Sequence, residues 1–313
     1  MSYIKIPKAW GIPEREATPE HVYLNRRKFL ATMGVAAAAQ ILLPRLQAAS
    51  HSLYPAKRNP NYQLDRPITD EKMVTRYNNF CEFSTEKEEV WQLVDRFKTE
   101  PWTIQVTGLV ENSQTLDVSK LIPQIPLEER LYRHRCIEGW AMAVPWTGFP
   151  LKALIDRVQP KAEARYVRFV SFFRPEEAPG QKKQTSYPWP YYDTLTMAEA
   201  MNELTFLATG LYGHEIPKQN GAPIRLVVPW KYGFKSVKSI VSIEFLDSFP
   251  KKHMTFWHDV VPHNYDFSAN VDPKAPHPRW SQATEKLIGT WQVRPTVLYN
   301  GYGAFVAHLY PKT

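Results

Sequence analysis

From residue 102 onward the sequence switches repeatedly between two hydrophobic periods. "WTIQVTGLV" (102–110) alternates and carries β-branched residues, the pattern of a half-buried strand. "PLKALIDRV" (150–158) places Leu151, Leu154, Ile155 and Val158 on one helical face behind a proline. "ARYVRFVSFF" (164–173) reads as a strand and "MAEAMNEL" (197–204) as a short helix. The run 222–248 reads as two strands joined by a Trp-Lys-Tyr-Gly-Phe turn. These elements alternate irregularly, without a βαβ period and without an internal repeat. The expected fold class is therefore α+β, with mixed strands and short helices.

The flanking segments are less periodic. Residues 50–100 are polar and are expected to wrap the surface, with one short helix over 86–97. The tail, 249–313, is rich in Pro, His and aromatic residues, with a helix-like piece near 280–288.

The first 49 residues have a different character. Asn25-Arg26-Arg27-Lys28 precedes a short, Ala-rich apolar stretch, and "RLQAAS" then offers small residues for cleavage near Ala48 or Ala49. The stretch is too short and too diluted for a membrane-spanning helix. Basic residues, apolar stretch and small-residue end occur in the order of an export signal, and the paired arginines match the twin-arginine address. Residues 1–49 are expected to be a cleaved twin-arginine signal, and 50–313 a single soluble periplasmic domain, exported already folded.

The 313-residue chain less that leader leaves 264 residues, enough for one large domain. The leader holds seven Lys/Arg and three Asp/Glu. Of 39 basic and 31 acidic residues, 32 and 28 remain, a weak excess that gives no argument for nucleic-acid binding.

There are two cysteines, Cys81 and Cys136, with no CxxC and no paired-His motif, so a zinc site is not expected. In an oxidising compartment the pair invites a disulfide. Cys136 follows Arg133, His134 and Arg135, and nearby positive charge favours thiolate. On a strand His134, Cys136 and, if the strand continues, Glu138 share one face. Spacing alone leaves ligand, nucleophile, disulfide half and buried core all open.

Several ordered stretches narrow the choice: "YNNFCEF" (77–83), "RCIEGWAMAVPW" (135–146), "RPEEAPGQ" (174–181) and the long "LYGHEIPKQNGAPIRLVVPWKYGFKSVKSIV" (211–241). Through these, and behind its twin-arginine leader, the chain resembles the periplasmic protein-methionine-sulfoxide reductases, molybdopterin enzymes of the sulfite-oxidase fold. The resemblance implies Mo-molybdopterin as cofactor, with Cys136 as the molybdenum ligand. It implies cofactor contacts from Asn78, Cys81, Glu82, Ser171, Asn220, Arg225, Ser236, Val237 and Lys238. These residue types suit such a cofactor. Thiolate is a soft ligand, cations and backbone N–H groups hold phosphate, and asparagine both donates and accepts. Cys81 departs from the tyrosine common in the family. Glu138 is the candidate for proton delivery or access; Tyr232, Trp146 and Trp230 are candidates for shaping the pocket, with core packing the expected role of each tryptophan.

The implied reaction is reduction of methionine sulfoxide in oxidised periplasmic proteins by oxygen-atom transfer. With no haem CxxCH and no iron–sulfur cysteine set in the sequence, the electrons would come from a haem-binding inner-membrane partner. Two alternatives stand beside this reading. One is a sulfite dehydrogenase on the same fold, against which stands the Ile-Glu-Gly-Trp continuation after Cys136. The other is a cofactor-free exported binding protein with a Cys81–Cys136 disulfide.

Overall fold

The computed structural model describes residues 52–249, 255–262 and 266–310, so the expected leader lies outside the described residues. Those described belong to one compact unit, Ser52–Thr313.

Among them run β1 (Lys57–Arg58), β2 (Thr103–Gly108), β3 (Gln114–Asp117), β4 (Glu128–Arg135) and β5 (Trp140–Pro150). They continue with β6 (Tyr166–Ser171), β7 (Tyr192–Thr196), β8 (Phe206–Leu211), β9 (His214–Glu215) and β10 (Arg225–Val227). The last three are β11 (Ile240–Leu246), β12 (Thr284–Leu287) and β13 (Val293–Pro295). Two sheets result, both of mixed direction, as the α+β expectation requires. One has the order β3-β2-β11-β6-β7; the other runs β1-β4-β5-β12-β13, with β8 also on β5 and carrying β9 and β10.

The long strand β5 organises the second sheet. Its sequence, WAMAVPWTGFP, is nearly all apolar, and every residue except Pro150 is buried, as befits a strand covered on both faces. Its first residues pair in parallel with β12 (Trp140 with Lys286), and its last pair antiparallel with β8 (Pro150 with Phe206). Gly148 permits that second approach: a Cβ there would collide with the Leu207 carbonyl oxygen.

The helix Leu151–Val158 buries the four apolar residues its spacing placed together. The helix Met197–Met201 stops short of residue 204 and starts with a capping box. Glu199 N–H donates to Thr196 Oγ1 (3.2 Å), and Thr196 N–H donates to Glu199 Oε2 (2.9 Å).

Four expectations need correction. The expected helix over 86–97 is reduced to Val90–Leu93, because Phe97 turns inward onto Phe172 (4.4 Å between centroids). Phe80 and Phe83 join the same aromatic cluster, so 77–97 enters the core instead of only wrapping it. The two strands within 222–248 exist but belong to different sheets, and the segment between them crosses from one to the other. The helix-like piece near 280–288 is strand β12, where Glu285 is buried against Arg66 (2.6 Å), a partner that local spacing cannot reveal.

Candidate active site

Strand β4 ends at Arg135, and residues 136–139 turn the chain into β5. Cys136 N–H donates to Trp140 O (2.9 Å) and Gly139 N–H to Cys136 O (3.1 Å). Gly139 takes φ +84°, the left-handed conformation that favours glycine at such a turn. The strand therefore does not continue through Glu138, as a shared face would have required. The turn instead folds the Glu138 N–H back onto the sulfur. Cys136 Sγ accepts from Glu138 N–H (3.4 Å) and from Asn79 Nδ2 (3.2 Å). The Glu138 carboxylate is held by Lys87 Nζ (2.9 Å) and Trp140 Nε1 (3.1 Å).

The Arg135 charge does favour thiolate, as the charge argument expects, but burial outweighs it. Arg133 engages Asp65 and the Asn300 carbonyl, and Arg135 engages Gln282 and Glu285. Burial first, then the Glu138 charge, pushes the Cys136 thiol up to about 12. Protein alone thus leaves this sulfur protonated, and a metal cation is what would displace the proton. Both cysteines are free, which gives no support to the disulfide alternative. Among the described residues no three His, Cys, Asp or Glu side chains gather into a metal site. A metal at Cys136 needs further ligands from a cofactor.

Cys136 opens onto a cavity of about 270 Å³. Asn78 and Asn220 line it, and both donate their amide nitrogens to the carbonyl of Val74 (2.9 and 3.0 Å). Their Oδ1 atoms are buried without a partner, as is Nε1 of Trp146 on the same wall. Buried orphans of this kind call for a ligand with complementary donors and acceptors.

Arg225 lies 3% exposed, its guanidinium 4.9 Å over the Trp146 ring. It donates only to the backbone carbonyls of Leu226 (3.2 Å), Asn220 (3.1 Å) and Ser236 (3.1 Å), with no carboxylate pair among the described residues. Burial pulls it down to about 9. Lys238 donates to Asn79 O (2.7 Å), and burial with the Arg225 charge lowers it to about 8. Burial pushes Glu82 up while the Lys238 charge opposes that shift, so these two buried groups are charge partners. Arg225, without a carboxylate partner among the described residues, leaves buried positive charge that fits an anionic group such as a phosphate.

Of the remaining expected contacts, Cys81, Glu82 and Ser236 line the cavity, whereas Ser171 and Val237 do not. The Ser171 hydroxyl donates to Lys238 O (2.8 Å) and fixes that loop from behind. Val237 is core, 1% exposed. Trp230 is also core, its Nε1 donating to Tyr310 OH (2.9 Å), and Tyr232 packs beneath Arg135. Asn79 and Arg279 also line the cavity, though neither was singled out from sequence. Asn79 stood within "YNNFCEF", but nothing local shows that it reaches Cys136.

The oxidoreductase molybdopterin-binding domain model matches residues 91–257. The chain is 44% identical over 311 residues to the protein-methionine-sulfoxide reductase catalytic subunit MsrP of Burkholderia mallei, covering 96% of this chain and 93% of that one. Among solved structures it is similar to the sulfane dehydrogenase SoxCD from Paracoccus pantotrophus, with a TM-score of 0.44, 14% identity and 86% of this chain covered. This chain spans 65% of that one. By the domain match over 91–257 and the 44% identity along nearly its whole length, the chain belongs to the molybdopterin-binding oxidoreductases, the family of the protein-methionine-sulfoxide reductase catalytic subunits.

Proposed function

We propose that this protein reduces methionine sulfoxide in oxidised periplasmic proteins back to methionine. The observation that carries the reading is the buried Cys136 thiol at the wall of a cavity that also holds Arg225, a buried cation bonded to backbone carbonyls alone. The chain's 44% identity to a protein-methionine-sulfoxide reductase catalytic subunit supports methionine sulfoxide as the substrate.

Molybdopterin bound here would supply a redox-active metal suited to oxygen-atom transfer, together with sulfur ligands of its own. Cys136 contributes the protein's thiolate. Arg225 and Lys238 would hold the cofactor's phosphate, with backbone groups near Ser236 and Val237. The free Oδ1 atoms of Asn78 and Asn220 would accept hydrogen bonds from the cofactor, and Cys81 and Glu82 would line its site. Ser171 acts through the loop it fixes. We assign proton transfer between solvent and the reacting centre to the Glu138 carboxylate, supported by its partial exposure (27%) and by the nearness of its backbone N–H to the sulfur. In balance, one sulfoxide, two electrons and two protons give one thioether and one water.

A catalytic subunit needs an electron source, and we assign that role to a haem-binding inner-membrane partner. No helix among the described residues is long and apolar enough to cross a membrane. Residues 1–49 act as a cleaved twin-arginine signal delivering 50–313 to the periplasm after cofactor loading.

The test is molybdenum content together with turnover driven by a reduced viologen dye. Methionine sulfoxide and an oxidised protein should both be consumed, and Cys136→Ser should lose the metal and the activity. Sulfite oxidation without sulfoxide reduction would overturn the substrate assignment. Absence of molybdenum from protein made in a cofactor-producing host would overturn the whole reading.

A further inference from the structure

The turn that carries Cys136 is fastened by residues far from it in sequence. Three of its four carbonyls are held. Arg135 Nη1 donates to Cys136 O, Gln282 Nε2 to Ile137 O (2.7 Å), and Lys286 N–H to Gly139 O (2.8 Å). Gln282 serves twice, because its Oε1 also accepts from Arg135 Nη2 (2.9 Å). The Arg135 guanidinium meets Glu285 Oε2 (3.4 Å), and Glu285 in turn accepts from Arg66 Nη1 (2.6 Å). Arg135, Gln282 and Glu285 are each no more than 2% exposed. Gln282, Glu285 and Lys286 lie beyond residue 257, where the family match ends.

We propose that Gln282 is a positioning residue for the cysteine ligand, and that the tail segment around β12 is a working part of the site. A carboxamide suits the place because one end must donate to Ile137 O while the other accepts from Arg135. No aliphatic or ionised acidic side chain does both. Ligand turns need such outer contacts, because a sulfur that wanders weakens its bond to the metal and blurs the geometry of the reacting centre. Glu285 pairs with the Arg135 guanidinium, and Arg66 anchors Glu285.

The inference rests on the reading of Cys136 as the molybdenum ligand, and its test uses the mature, molybdenum-loaded protein. Gln282→Leu keeps the approximate volume and removes both hydrogen bonds. Gln282→Glu keeps only the contact to Arg135. Val158→Ala, in the helix Leu151–Val158, serves as a destabilised control away from the cavity. Hydrogen exchange across 136–140, the rate of molybdenum release and the spectrum of the reduced metal are compared in all four proteins. Gln282→Leu should speed exchange in the turn and metal release by about ten- to a hundred-fold and broaden the spectrum. Gln282→Glu should fall between it and the parent, and Val158→Ala should match the parent. A Gln282→Leu protein indistinguishable from Val158→Ala in these three readouts overturns the positioning role alone. A parent without molybdenum overturns the ligand reading, and this inference with it.

Discussion

Asn78 and Asn220, from separate segments of the chain, donate their amide nitrogens to one carbonyl, that of Val74. Each is left with an orphaned Oδ1 in the same cavity. Without ligand this arrangement costs stability, since a buried unsatisfied acceptor is unfavourable by about 1–3 kcal/mol. Asn220→Leu removes one orphan while Asn78 still satisfies Val74. The cofactor-free protein should therefore change stability by no more than about 1 kcal/mol, the lost hydrogen bond offsetting the lost penalty. The loaded protein should retain markedly less molybdopterin, measured by fluorescence of the released, oxidised pterin. Unchanged pterin content would mean that the orphaned oxygen is not a cofactor contact.

Metal-free protein offers a direct reading of the Cys136 environment. With the thiol pushed up to about 12, its thiolate fraction at pH 8 should be on the order of a thousand-fold below that of an ordinary cysteine. Alkylation by iodoacetamide, followed by peptide mass spectrometry, should be correspondingly slow. Its rate should climb steadily between pH 7 and 10. A plateau near pH 9 would show that burial does not control this sulfur.

How much of this was readable beforehand depended on how local each cause was. The helix Leu151–Val158 and strands β2, β6 and β11 were legible because their apolar residues repeat with the period of the element they form. Phe97 left its expected helix for Phe172, and Glu285 became a buried strand residue opposite Arg66; distant partners decided both. The site divides in the same way. Cys136, Asn78, Asn220 and Arg225 stand in ordered stretches that a family resemblance could pick out, and all four line the cavity. Gln282 carried no local signal, because its importance lies entirely in the carbonyl of Ile137 and the guanidinium of Arg135.

Further from the cavity, Lys231 and Glu199 form a buried pair at 2.5 Å, 0% and 3% exposed. Tyr310 OH also donates to Glu199 (2.6 Å), and Lys231 also donates to Asn270 Oδ1 (3.0 Å). Lys231→Met would leave a carboxylate buried without its cation, at a cost of about 3–5 kcal/mol. The double variant Lys231→Met, Glu199→Gln should recover most of that loss. Urea unfolding of the two variants checks this, and a double variant no more stable than the single one would contradict it.

Asp65 collects three arginines, Arg66 (2.9 Å), Arg133 (3.1 Å) and Arg294 (2.9 Å). Burial alone would raise its pKa, but the Arg66 hydrogen bond and the Arg133 charge outweigh that and hold the carboxyl well below the usual range. A carboxyl with a depressed folded-state pKa stabilises the fold fully above its unfolded value, near 3.9, and loses that contribution as the pH falls below it. The side chain is 40% exposed, which limits the effect to about 1 kcal/mol. Asp65→Asn should therefore be less stable than the parent at pH 7 by up to that amount. The gap should persist down to about pH 5 and narrow below pH 4, because the parent then loses the charge that the variant already lacks. Added salt at pH 7 should narrow it too, since the cluster is open to solvent. Urea midpoints taken from pH 7 to pH 3 test the sign directly: parallel curves would mean that the arginines are held by packing, with the Asp65 charge contributing nothing.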